Sequence, residues 1–141
     1  MTAPSPARLR RGRPEADIQR QIVALLRAVL PRGAIVHHAA NEVGFGGRAA
    51  RARQAILTGM GVHAGFSDLI ILSGGRVLFL EVKSPRGRLS PTQSAFRDAV
   101  QAQGLPWALV RSPEDALGAL KAHGFYTRLA RPHLTARRRP G

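Results

Sequence analysis

Between residues 15 and 30 apolar side chains recur at three- and four-residue spacing, and Ile18, Ile22, Leu25, Leu26 and Val29 would share one helix face. Pro14 suits the first turn of that helix, and Pro31, Arg32 and Gly33 suit its end. Beyond it the period changes. Residues 34–40 (AIVHHAA) fit a short strand, 41–47 form a glycine-rich loop, and 48–58 read as a helix with a basic face made by Arg48, Arg51 and Arg53. Two apolar or β-branched runs, 68–72 and 77–83, are separated by Ser73, Gly74, Gly75 and Arg76, a spacing that predicts a hairpin. Ser90 and Pro91 open a helix that stops near Gln103 and Gly104, residues 107–110 form a further strand, and Ser112 and Pro113 open a last helix to about residue 123. The order α β α β β α β α predicts an α/β protein, a central mixed sheet flanked by helices.

The hairpin brings chemistry with it. With Gly74 and Gly75 as the loop, Leu72 pairs with Val77, Ile70 with Phe79, and Asp68 with Glu81. Two acids would then face each other with Cβ atoms about 5 Å apart, which is unfavourable unless a cation lies between them. Side chains alternate along a strand, so Lys83 lies on the face of Glu81 while Val82 points into the core. Two hard carboxylates suit Mg²⁺ or Mn²⁺, which keep several waters and accept phosphate oxygens. Lys83 adds a cation able to position an attacking water or stabilise developing charge. The bland alternative makes Asp68 a strand-start residue and Glu81 and Lys83 a solvated strand end. Three such residues in one register, beside a basic surface, favour a site; a bulge would shift that register by one residue.

Composition narrows the partners. The 141 residues (15.2 kDa) are 44% apolar, enough for one domain with a modest core. The chain has no cysteine, which removes disulfide scaffolds, thiol nucleophiles and cysteine-ligated metal sites. Its apolar runs are too short to span a bilayer, and MTAPSPARLRRGR at the start lacks a signal-peptide core, so no membrane partner and a cytoplasmic location are expected. The formal net charge is +14, with four arginines and no acid in residues 1–13 and five arginines and no acid in 128–141. Those stretches read as basic disordered tails around a domain at 14–127. A polyanion is the expected partner, and the DNA phosphate backbone the default one. Arginine outnumbers lysine twenty to two, so base composition of the gene contributes to that charge, and a lysine at position 83 stands out against it.

Other groups say less. Glu15 lies in a helix's first turn, where the macrodipole favours an acid regardless of function. Gln93 completes Ser90, Pro91, Thr92, Gln93, a capping box, and Ser112, Pro113, Glu114, Asp115 repeat that design where no site is suspected. Arg86 and Arg88 flank Gly87 beyond the acids and, with Arg48 and Arg51, could hold phosphates or simply face solvent. His37 and His38 are adjacent in a strand and face opposite ways, so they are not a matched ligand pair. Residues 41–47 could close over a substrate or merely link. GFGG at 44–47 lacks the Lys-Ser/Thr of a phosphate loop, and Trp107 reads as core.

Asp68 followed by Glu81, Val82 and Lys83 resembles the PD-(D/E)xK nuclease signature, and the surrounding text resembles its VRR-NUC family. EADIQ at 15–19 resembles that family's E-x-x-I-Q element, GVHAGFSD at 61–68 its G-x-x-x-G-x-P-D segment, and GRLSPTQ at 87–93 its G-x-L-S-x-x-Q element. The resemblance implies a restriction-endonuclease-like core and metal-dependent hydrolysis of DNA phosphodiesters. It implies Glu15, Asp68 and Glu81 as acidic metal-site residues, the Val82 carbonyl as a further ligand, Lys83 as the catalytic lysine and Gln93 as the helical glutamine. Ser67 stands where the family has proline, which changes the backbone approach to Asp68 rather than the chemistry. Stand-alone members of this size imply dimers acting on branched DNA such as four-way junctions. The rival expectation is a basic DNA-binding module with a decayed site, although binding alone requires no pair of opposed acids.

Overall fold

The computed structural model describes residues 13–39 and 48–129. The expected tails and the glycine-rich loop lie mostly outside these residues. Among the described residues four helices and four strands follow the predicted order: α1 (Arg13–Val29), β1 (Ile35–His38), α2 (Arg48–Gly59), β2 (Leu69–Ser73), β3 (Arg76–Val82), α3 (Pro91–Ala102), β4 (Trp107–Val110) and α4 (Pro113–Ala122). The sheet order is β1-β2-β3-β4. The first two pairings are antiparallel and β3 with β4 is parallel, so the sheet is mixed. Among the described residues no helix is long and apolar enough to cross a membrane.

The hairpin has the expected register, with Leu72 opposite Val77 and Ile70 opposite Phe79. Gly74 and Gly75 carry φ of 58° and 74°, the left-handed pair that a two-residue turn of type I′ requires and that glycine adopts without strain.

One sheet face is the core. Leu69, Ile71, Leu78, Leu80, Val82 and Val110 are buried there against Ile22 and Leu26 of α1 and Ala116 and Leu120 of α4. Each fully buried leucine or isoleucine contributes about 1.5–3 kcal/mol, so this face anchors the strands whose ends carry the acids. The other face is thinner. Phe79 meets Phe66 and Phe96 with ring centroids 4.7–5.8 Å apart within the trio. Trp107 departs from its expected core role. It is half-buried at the start of β4, and the Arg97 guanidinium lies 5.9 Å above its ring. Cross-strand neighbours Ile35 and Leu72 leave this face 54% and 44% exposed.

Both Ser-Pro starts cap their helices, but differently. At α3 the box is complete: the Ser90 hydroxyl accepts from Gln93 N–H and the Gln93 Oε1 accepts from Ser90 N–H. At α4 Ser112 accepts from Asp115 N–H, while the shorter Asp115 carboxylate takes the Arg111 N–H instead. Arg13 opens α1, and Arg128 donates its main-chain N–H to Val29 O (2.7 Å) and its Nε–H to Leu30 O (3.1 Å), satisfying carbonyls at the end of α1.

Candidate active site

The start of β2 and the end of β3 lie side by side, and there the two acids meet. Asp68 is held twice: its Oδ2 accepts from Val82 N–H at 2.8 Å, and its main-chain carbonyl accepts from Ala39 N–H at 2.9 Å. The side chain of Val82 points into the core, as alternation predicts. Glu81 is 1% exposed. Its Oε1 accepts from Gln93 Nε2 at 3.0 Å and lies 4.0 Å from Lys83 Nζ, itself buried. Its Oε2 is buried and receives no hydrogen bond.

That setting is expensive for a second negative charge. The Glu81 carboxyl is pushed up to about 9, first by burial, then by the charge of Asp68 and the hydrogen bond the protonated acid makes to it, with Lys83 opposing and Glu15 adding slightly. A neutral Glu81 is one way to quiet the repulsion at pH 7; a bound cation is the other. The orphaned oxygen, the opposed carboxylate and the hard-oxygen donor set all fit a divalent ion. Among the described residues no group of three His, Asp or Glu side chains converges closely enough to hold a metal. Glu15, half-buried in the first turn of α1, acts on Glu81 through its charge.

Gln93 caps its helix, as the sequence predicts, and reaches the acids as well. Its carbonyl oxygen closes the cap of α3, and its amide nitrogen holds Glu81. The segment before Asp68 reaches this helix start closely. At Gly65, with φ of 74°, an added Cβ would fall 2.3 Å from Thr92 O, so only glycine allows the approach. Ser67 is fully buried with an unpartnered hydroxyl, an apolar setting that suits the proline of the resemblance. Beside the acids opens a cleft of about 380 Å³, lined by His38, Gln54, His63, Asp68, Ser90 and Gln93 among others.

Two residues were not found from sequence. His38 faces away from His37 as expected, but its Nδ1 lies 2.8 Å from Gln19 Nε2 and 3.2 Å from the Asp68 carbonyl. The shorter contact makes Nδ1 an acceptor from Gln19; the longer becomes a hydrogen bond only when Nδ1 carries the proton. Gln19 closes the EADIQ element, the one sequence signal that pointed this way. Arg111 donates its guanidinium to Ser84 O and Gly87 O. The expected phosphate-holding arginines are exposed: Arg86 and Arg88 follow the site, and Arg48, Arg51 and Arg53 lie on α2, which has no buried residue among those described.

The family model of the VRR-NUC domain matches residues 46–114, a span that holds Asp68, Glu81, Val82, Lys83 and Gln93 and leaves out Glu15. A solved structure described as a "VRR_NUC domain protein" superimposes with a TM-score of 0.60 at 19% identity, covering 77% of this chain and 86% of its own. That likeness establishes the fold. No curated protein matches the chain at a significant level.

Proposed function

The chain carries a VRR-NUC domain, and from that premise we propose that it is a divalent-metal-dependent nuclease hydrolysing DNA phosphodiester bonds. One observation carries the reading. Buried Glu81 faces Asp68 with an oxygen that no donor satisfies, and Lys83 stands 4.0 Å away. Bound Mg²⁺ or Mn²⁺ would lower the pKa of a water and offset charge on the phosphoryl oxygens.

Asp68 and Glu81 would hold that ion, with the Val82 carbonyl as a further ligand and Glu15 as an additional acidic residue. Lys83 positions the attacking water and meets the negative charge that grows on the phosphate. Gln93 keeps the Glu81 carboxylate aimed by holding one of its oxygens. Arg86 and Arg88 from the loop after β3, and Arg48 and Arg51 from α2, take DNA phosphates; their exposure and the chain's +14 charge support this. Branched DNA such as a four-way junction is the proposed substrate and a homodimer the proposed assembly. The half-exposed Ile35 and Leu72 on one sheet face support a second copy docking there.

The test is cleavage of labelled single-stranded, duplex and four-way-junction DNA with Mg²⁺, Mn²⁺ or EDTA. Metal-dependent cutting that falls at least 1,000-fold in Lys83→Ala is expected, on the order of magnitude of losing a catalytic charge. Salt-sensitive binding with no cutting by the wild type would leave only a DNA-binding module.

A further inference from the structure

Arg111 is the first residue after β4, and the Ser84–Arg88 loop leaves the end of β3 beside it. One nitrogen of its guanidinium, Nη1, donates to both Ser84 O and Gly87 O, the two carbonyls that bracket the loop. The loop is closed on itself by Gly87 N–H to Ser84 O at 3.0 Å. At its base Lys83 N–H donates to Val110 O at 3.0 Å, so loop and lysine hang from the same strand end as Arg111. The Arg111 backbone is fixed in turn, its N–H bonded to the Asp115 carboxylate at the start of α4.

Gly87 carries the connection inward. A Cβ added there would lie 3.3 Å from Lys83 Cδ, 3.4 Å from Lys83 Cβ and 3.1 Å from Ser84 Oγ, so the loop backbone already rests on the lysine's stem. Most of the described arginines face solvent; this one is half-buried and spends a guanidinium nitrogen on two main-chain carbonyls. Its flat, fixed fork suits such a task better than the mobile ammonium of lysine.

We infer that Arg111 is a positioning residue. It straps the Ser84–Arg88 loop to the sheet so that Gly87 presses the Lys83 stem into line and Nζ stays aimed at Glu81. Its catalytic consequence rests on the nuclease reading; its structural consequence does not.

Arg111→Lys and Gly87→Ala separate the two. In single-turnover cleavage of the preferred DNA, both variants lower kcat by roughly 10- to 100-fold, the cost of misplacing a catalytic group by about 1 Å. KM for DNA and the Mg²⁺ half-saturation change no more than about threefold. The double variant is no worse than the poorer single one, because both act on the same lysine. Millimolar guanidinium restores part of the rate to Arg111→Ala and none to Gly87→Ala. Hydrogen exchange reads the strap without any chemistry: in metal-free Arg111→Lys the Gly87 amide exchanges at least tenfold faster while β2, β3 and α1 keep their protection. A wild-type kcat in Arg111→Lys, a rise in KM alone, or exchange that accelerates evenly through the domain would each overturn the inference. A wild type that cuts nothing removes the nuclease reading, and the exchange result still decides whether Arg111 holds the loop.

Discussion

Helices α3 and α4 begin with nearly the same words, Ser-Pro-Thr-Gln and Ser-Pro-Glu-Asp, and do different things. In both, a serine hydroxyl accepts from the amide three residues on, and proline fills the first turn. At α3 the fourth side chain is long enough to turn back to Ser90 N–H with one end and reach Glu81 with the other. At α4 the fourth side chain is an aspartate that holds the Arg111 N–H, and no acid of the site lies within its bonding. A cap is a local device. What its outward atoms touch depends on which strand end lies opposite, and that is a property of the fold. The comparison shows that a residue explained by helix chemistry can still hold a buried carboxylate on a distant strand.

The widest separation of the two caps comes from Gln93→Glu. Glutamate keeps the capping box, yet it sets a carboxylate where an amide donor holds Glu81. Cleavage should fall by at least about 100-fold, while Asp115→Glu leaves it within twofold; single-turnover rates under saturating Mg²⁺ decide.

Next comes the dependence on pH in chelator. Glu81 has a folded value of about 9 against an ordinary 4.5, so between those values the folded state holds the extra proton. Stability of the metal-free protein therefore falls as pH rises through that window, with a slope of at most about 1.4 kcal/mol per pH unit from this group. Glu81→Gln removes that part of the slope and raises the metal-free Tm at pH 8 by roughly 5 °C. Asp115→Asn, the corresponding neutralisation at the other cap, leaves the slope in place. Adding Mg²⁺ to the wild type should release a proton, measurable in weak buffer by calorimetry, and release less from Glu81→Gln.

The smallest effect sharpens the likeness rather than the difference. Ser90→Ala and Ser112→Ala should each cost about 1 kcal/mol, read as similar drops in urea midpoint. Ser112→Ala keeps full cleavage, whereas Ser90→Ala loses a few-fold because its cap also steadies Gln93. Equal activities would mean that Gln93 is held without the cap.

Much of the site was legible because its geometry is local. A two-glycine turn fixes the hairpin register, the register sets Asp68 against Glu81, and alternation puts Lys83 on the same side and Val82 in the core. Few rules of this kind reach between distant elements. Nothing in the text around His38 says that it meets Gln19 of α1 and the carbonyl of Asp68 thirty residues on. Nothing near Arg111 in the chain says that its guanidinium meets the carbonyls of Ser84 and Gly87.

By itself, then, the sequence determined the order of elements, the turn, the faces of the strands and both helix starts, because each depends on backbone preference and on neighbours a few residues away. Tertiary structure alone decided that Glu81 would be buried enough to be pushed up to about 9, that a capping glutamine would also hold it, and that an arginine from beyond β4 would brace the loop over Lys83. Burial, field and long-range hydrogen bonds are set by what lies across the core, and chain spacing does not encode that distance.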